Sequence, residues 1–160
     1  MDTIPISVEG YEKLKRELEE LKGQRPEVIK AIAEARAEGD LRENAGYDAA
    51  RERQGMIEAK IRHIESHMAV FTIIDLMTMH GPKVAFGATV EVEDLESGEQ
   101  KSFTLLGPDE ADFSKGSISV LAPVGRALLG KEEGDVIEVN APRGKIEYEI
   151  LTVRYPRDMV

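Results

Sequence analysis

The sequence predicts an α+β protein of two domains, an N-terminal antiparallel coiled-coil helical hairpin followed by a small α+β domain. Three observations predict it. Apolar residues recur at alternating spacings of four and three through the first half of the chain. Two such series mirror one another about a single residue. Beyond about Met77 the long heptads give way to short β-branched runs separated by Gly, Pro and Asp.

The first series runs Leu14, Leu18, Leu21, Arg25, Val28, Ile32 and Ala35; the second runs Tyr47, Ala50, Gln54, Ile57, Ile61, Ile64 and Met68. Pairing the first member of one with the last of the other, and so inward from Leu14 with Met68 to Ala35 with Tyr47, centres every pair on Leu41. A chain that folds back on itself produces this arithmetic, so Leu41 marks the turn and Asp40 and Glu43 stand at the tip. Each helix should hold roughly 25 to 30 residues, an arm of about 40 Å at 1.5 Å per residue. Ser7 suits the N-cap of the first helix, with Glu9 and Glu12 near its positive end. Pro26 removes a backbone donor and should bend that helix without ending the seam. The mixed pairs Arg25 with Ile57 and Val28 with Gln54 fall in the same zone, which should pack least well.

Gly81-Pro82 marks a boundary, and the expected domains are 1–76 and 77–160. In the second, GATVEVEDL, QKSFTLLG, GDVIEVNAP and GKIEYEILTVRY read as mostly antiparallel strands. PVGRALLG, residues 123–130, reads as a short helix ended by Gly130.

Composition narrows the functions available. The 160 residues include no cysteine, which excludes disulfides, thiolate metal sites and a cysteine nucleophile. MDTIPISVEG lacks the basic-then-apolar pattern of a signal peptide, and the apolar stretch from Met68 to Met79 is too short and too interrupted to span a bilayer. No membrane partner is expected, and a cytoplasmic location is. The net charge of −10 argues against holding nucleic acid by bulk electrostatics. Neither half is basic: residues 1–75 carry 12 Lys/Arg against 16 Asp/Glu, and residues 76–160 carry 9 against 15. Near the tip Arg36, Arg42, Arg51 and Arg53 form a local positive set, either a solvated helix face or a steering patch for a nucleic-acid backbone.

The tip sequence AEGDLRENAGYDAA, residues 37–50, has two readings. Gly39 suits the end of helix one, and Asp40-Leu41-Arg42-Glu43 has the spacing of a capping box for helix two. Alternatively the two carboxylates face outward as ligands for a divalent cation. Magnesium takes about six oxygens, commonly one or two from protein carboxylates and the rest from water and phosphate. Two carboxylates are thus an incomplete site that a partner protein and an RNA phosphate would have to finish. Other motifs are weaker. His63 and His67 stand at i and i+4, but the intervening Glu65 is one place off the zinc-protease pattern and no third ligand is apparent, so they read as a solvated helix face. Asp109-Glu110-Ala111-Asp112 matches a helicase box in letters only, without a Gly-rich phosphate loop. No Ser or Thr sits in a nucleophile elbow.

The stretch AIAEARAEGDLRENAGYDAARERQG, residues 31–55, resembles the tip of the Gre transcript cleavage factors of the GreA type. The likeness extends through IPISVEGYEKLKRELEELK, VAFGATVEVEDLESGEQ, DEADF, ISVLAPVGRALLGKEEGD and IEYEILTVRY, almost the whole chain. The resemblance implies that the C-terminal domain is FKBP-like and docks on bacterial RNA polymerase at its secondary channel, while the hairpin enters that channel. It further implies that Asp40 and Glu43 help hold a second Mg²⁺ shared with the polymerase active site, so that backtracked RNA is cut near its nascent 3′ end. On that view the protein is not itself an enzyme; it lends residues to one. Asp109, Glu110, Asp112 and Pro123 become candidates for docking, and Arg36, Arg42, Arg51 and Arg53 for contact with RNA. Two departures stand out: Gly46 lies where the family commonly has an acid, and Ala122-Pro123 where it often has Ser-Pro. The alternatives are a channel regulator without cleavage activity and a coiled-coil adaptor whose tip acids only cap a helix. A prolyl isomerase is not implied, because function belongs to the site rather than the fold.

Overall fold

The computed structural model describes residues 3–39 and 44–159. The chain divides into two compact units: Met1–Tyr11 together with Phe71–Val160, and Glu12–Val70. The expected boundary after residue 76 therefore differs from the observed grouping, because the N-terminal residues join the later part of the chain. Strand β1 (Ile4–Ser7) pairs in parallel with β2 (Phe71–Ile74), Ile4 opposite Phe71 and Ser7 opposite Ile74. Neither strand was legible in a reading dominated by heptads. The apolar pairs Ile4/Ile6 and Ile73/Ile74 are too short to signal a ladder alone.

The hairpin unit is built from α1 (Val8–Ala37, 30 residues) and α2 (Ala45–Met68, 24 residues). Its core follows the predicted seam: Leu18, Leu21, Val28, Ile32, Ala50, Ile57, Ile61 and Ile64 are buried together, with Leu14, Tyr47 and Met68 packed against them. Polar ties between the helices run in opposite chain directions, as antiparallel packing requires. Lys22 meets Glu65 at 3.3 Å, Arg25 meets Glu58, and Glu27 meets Arg53 at 3.9 Å. Helix α1 passes through Pro26 unbroken. Beside it a recess of about 50 Å³ is lined by Arg25, Val28, Ile29, Gln54, Ile57 and Glu58, the zone where the mixed pairs interrupt the apolar seam. Arg25 closes one side of it by donating from Nε and Nη2 to the two Glu58 oxygens, at 2.6 and 2.7 Å. That hydrogen bonding holds the Glu58 carboxyl below the usual carboxylate range.

The sheet unit carries five further strands: β3 (Thr89–Asp94), β4 (Gln100–Leu106), β5 (Ser117–Ser119), β6 (Val136–Ala141) and β7 (Gly144–Arg154). They form one sheet in the order β5-β4-β3-β7-β6, antiparallel except where β4 meets β5. The four strands read from the sequence are present, and β5 is an addition. Side chains alternate as a one-faced sheet demands: Val90 and Val92 on β3, and Ile137 and Val139 on β6, are buried, while Glu91 and Glu138 are exposed. Leu105, Ile150 and Tyr155 complete the centre of this core. Tyr155 is fully buried and its hydroxyl donates to the Lys83 carbonyl at 2.5 Å. The short helix α3 (Pro123–Leu128) packs beside β5 and β6. The residue expected to end it, Gly130, takes a left-handed φ of +82° and donates its N–H to Val84.

Candidate functional site

Asp40, Leu41, Arg42 and Glu43 lie outside the described residues, so the tip is approached from its two stems. Helix α1 ends at Ala37, after which Glu38 donates to the Ala35 carbonyl and Gly39 adopts φ +130°. On the other stem α2 starts at Ala45 with Asn44 as its N-cap, and the Asn44 Oδ1 accepts from the Tyr47 N–H at 3.0 Å. The expected capping box on Asp40 and Glu43 is thereby corrected. The cap of α2 lies one residue past Glu43. Asn44 has a second task, donating from Nδ2 to the Ala35 carbonyl at 2.6 Å. One side chain thus caps α2 and ties it to the last turn of α1.

Gly46 stands in that first turn, and a Cβ there would meet the Asn44 Oδ1 at 3.4 Å, an ordinary contact. An acidic residue would fit the backbone, so its absence is not forced by packing. Among the arginines near the tip, Arg36 lies over the Tyr47 ring, 5.8 Å from the centroid, which steadies it across the stem. Arg51 donates to Gln54 at 3.2 Å, and Arg53 pairs loosely with Glu27. All three are exposed, and contacts of this kind between solvated groups are weak. Arg42 lies outside the described residues. His63 and His67 stand together on α2 with ring centroids 4.2 Å apart.

In the sheet unit the acidic motif at 109–112 has a differentiated structure. Glu110 points into the fold: its Oε2 accepts from the N–H groups of Ser7 at 2.8 Å and Gly107 at 3.0 Å, and Oε1 accepts from the Ser7 hydroxyl. Asp112 is exposed and caps the turn at Phe113–Lys115 by accepting from the Ser114 N–H at 3.0 Å. Asp109 is half-buried. Pro123 is exposed at the first position of α3, and Ala122, its N-cap, provides no side-chain hydrogen bond. The Ser7 side chain serves α1 as expected, its Oγ accepting from the Gly10 N–H at 3.0 Å. The tie from Ser7 to Glu110 across 103 positions was not legible in the sequence. The only signals were a small polar residue before a helix and an acid within a turn.

Among the described residues no helix is long and apolar enough to cross a membrane. Comparison with known proteins covers both units. The model of the family described as Transcription elongation factor, N-terminal, matches residues 4–73, and that described as Transcription elongation factor, GreA/GreB, C-term, matches residues 79–155. The chain is 69% identical over 155 residues to Transcription elongation factor GreA of Nitratidesulfovibrio vulgaris (strain DP4), covering 97% of this chain and 95% of that protein. It is 55% identical over 157 residues to the protein of the same name from Methylococcus capsulatus (strain ATCC 33009 / NCIMB 11132 / Bath), covering 97% and 99%. The crystal structure of GreA factor homolog 1 (Gfh1) protein of Thermus thermophilus aligns at 30% identity over 96% of this chain and 99% of that one, with a TM-score of 0.45.

Proposed function

Because the chain belongs to the GreA/GreB family of transcription elongation factors, we propose that it acts on RNA polymerase in the cytoplasm and stimulates the polymerase's own hydrolysis of backtracked RNA, rescuing arrested complexes. The hairpin carries Asp40 and Glu43 into the secondary channel, where they serve the polymerase as added ligands. The factor contributes residues and the polymerase is the enzyme. The observation that carries this reading is Asn44: it caps α2 and ties the stems together, so the helix that follows the two tip acids has an N-cap of its own.

The donor set fits magnesium, since carboxylate oxygens suit a hard cation and a pair of them leaves positions for a partner's acids and for phosphate. Bound there, a second Mg²⁺ would supply charge stabilisation and an activated water for phosphodiester hydrolysis. Asp40 and Glu43 provide the negative charge that favours the ion at that place. Arg36, Arg42, Arg51 and Arg53 oppose RNA phosphates near the tip, and the weak internal ties of Arg36, Arg51 and Arg53 are exchanged there for charge-assisted bonds. Asp109, Asp112 and Pro123 remain on the docking side of this reading. A protein of net charge −10 reaches RNA here through a protein partner rather than by its own field.

The test uses halted, backtracked polymerase with labelled RNA. Asp40→Asn and Glu43→Gln should leave thermal stability and polymerase binding unchanged. Cleavage stimulation should fall on the order of 100-fold or more, the scale of losing a few kcal/mol of metal-dependent stabilisation. Full cleavage by both variants would refute the metal role.

A further inference from the structure

We propose that Glu110 is a positioning residue, not a docking contact: it clamps the root of α1 into the sheet unit, and the delivery of the tip depends on that clamp. The carboxylate accepts three hydrogen bonds, two from backbone N–H groups and one from the Ser7 hydroxyl, while the same hydroxyl accepts from Gly10 in the first turn of α1. Ser7 is 3% exposed. A carboxylate with three donors at the start of a helix is a strong arrangement, since its bonds are charge-assisted and it sits at the positive end of the helix dipole. Two glycines make room for it. A Cβ on Gly10 would overlap the Glu110 carboxylate, and one on Gly107 would overlap the Pro5 carbonyl and stand 3.2 Å from Glu110 Oε2. Pro5, Ser7 and Gly10 thus meet Gly107 and Glu110 as one fitted joint. The helix rooted in it continues as the arm that ends at the tip. A loose root spreads the positions the tip occupies, and a misplacement of about 1 Å is enough to cost orders of magnitude in a positioned reaction.

This inference rests on the cleavage reading above, and the experiment separates the two. Glutamine can keep most of the joint, losing only the charge and the acceptor of the Ser7 hydroxyl proton. Its carbonyl oxygen takes the two backbone N–H groups, and its NH₂ donates to Ser7 Oγ, which has lone pairs for both that bond and the one from Gly10. Full-length Glu110→Gln, Glu110→Ala and Ser7→Ala are titrated against backtracked polymerase carrying labelled RNA, and backbone amide exchange at Gly10 and Gly107 is read on the same free proteins. Glu110→Ala and Ser7→Ala should each lower the maximal cleavage rate about tenfold at an unchanged half-saturating concentration. Both should lose exchange protection at Gly10, and the double variant should be no worse than the poorer single, as for two members of one joint. Glu110→Gln keeps the geometry without the charge, so it should recover most of the rate and protection that Glu110→Ala loses while staying short of wild type. A Glu110→Gln variant as poor as Glu110→Ala, with a raised half-saturating concentration, would overturn the proposal in favour of a charge that faces polymerase. Wild-type cleavage by Ser7→Ala would overturn it as well. Should the wild-type protein itself stimulate no cleavage, the reading of function fails on its own. The clamp is then judged on exchange: unchanged protection at Gly10 in both alanine variants would refute it.

Discussion

Glycine inside a helix has opposite surroundings in the two units. In the sheet unit a Cβ on Gly125 would overlap the Ser119 carbonyl oxygen and lie 3.0 Å from Val120 Cα. In the hairpin unit the space around Gly23 and Gly55 is open, with no atom within 4 Å of an added Cβ. The sheet unit thus brings backbone against backbone at Gly125, and does so again between distant parts of the chain where Gly107 meets Pro5. The hairpin is assembled by side chains along one seam, and a residue off that seam is constrained only by its own helix. This difference also separates what each unit can spare for function. The polar ties of the hairpin lie between solvated side chains, whereas in the sheet unit an acid such as Glu110 is committed to backbone N–H groups.

The largest effect that would test this contrast is expected from Gly125→Ala. Helix propensity alone favours alanine in α3 by about 1 kcal/mol. The overlap is with the Ser119 carbonyl, which also accepts from the Ala122 N–H, so relief requires moving the turn that starts the helix. Overpacking against backbone should prevail, with a net loss of roughly 3 kcal/mol in denaturant unfolding followed at the sheet unit. A stability equal to or above wild type would mean that the two units do not differ in this respect.

A smaller and more local effect is expected at Asn44. Asn and Asp are equivalent N-caps on general scales, so Asn44→Asp would be silent if capping were its only task. Here Nδ2 also donates to the Ala35 carbonyl, a bond that a carboxylate cannot make and whose oxygen it would repel. Asn44→Asp should therefore cost nearly as much as Asn44→Ala, about 1–2 kcal/mol in each case, seen as faster amide exchange in the first turn of α2. An Asn44→Asp variant as stable as wild type would show that the tie between the stems contributes nothing.

What was legible in the sequence follows from the range of the interactions. The seam was readable residue by residue, from Leu14 to Met68, because helix packing repeats a local period. Strands β3, β4, β6 and β7 were readable from alternation bounded by turn residues. Strands β1, β2 and β5, of three or four residues each, were not, because a short strand is defined by its partner rather than by its own pattern. The same reason hid the Ser7–Glu110 joint, whose members mean little apart. At the tip the sequence offered Asp40 and Glu43 as a capping box, and the spacing was indeed that of one. Asn44 prevailed as the N-cap, and its bond to the Ala35 carbonyl, nine positions back, is a pairing that spacing does not display. The metal role of the two acids came from family resemblance, as spacing alone left both readings open.

The smallest expected effect has the opposite sign. Gly55 is exposed in the interior of α2, with open space where a side chain would stand, so Gly55→Ala removes the entropy cost of glycine without creating a clash. It should raise stability by about 0.5–1 kcal/mol, read as a higher melting temperature of the hairpin unit with cleavage stimulation unchanged. The same reasoning applies to Gly23, but Pro26 follows it closely and already disturbs the local hydrogen bonding, so Gly55 is the cleaner position. A lower melting temperature for Gly55→Ala would contradict the open surface on which the comparison of the two units depends. A higher melting temperature combined with lost cleavage would be more informative. It would place the need for glycine at 55 in the complex, on a helix face that the free protein leaves uncovered.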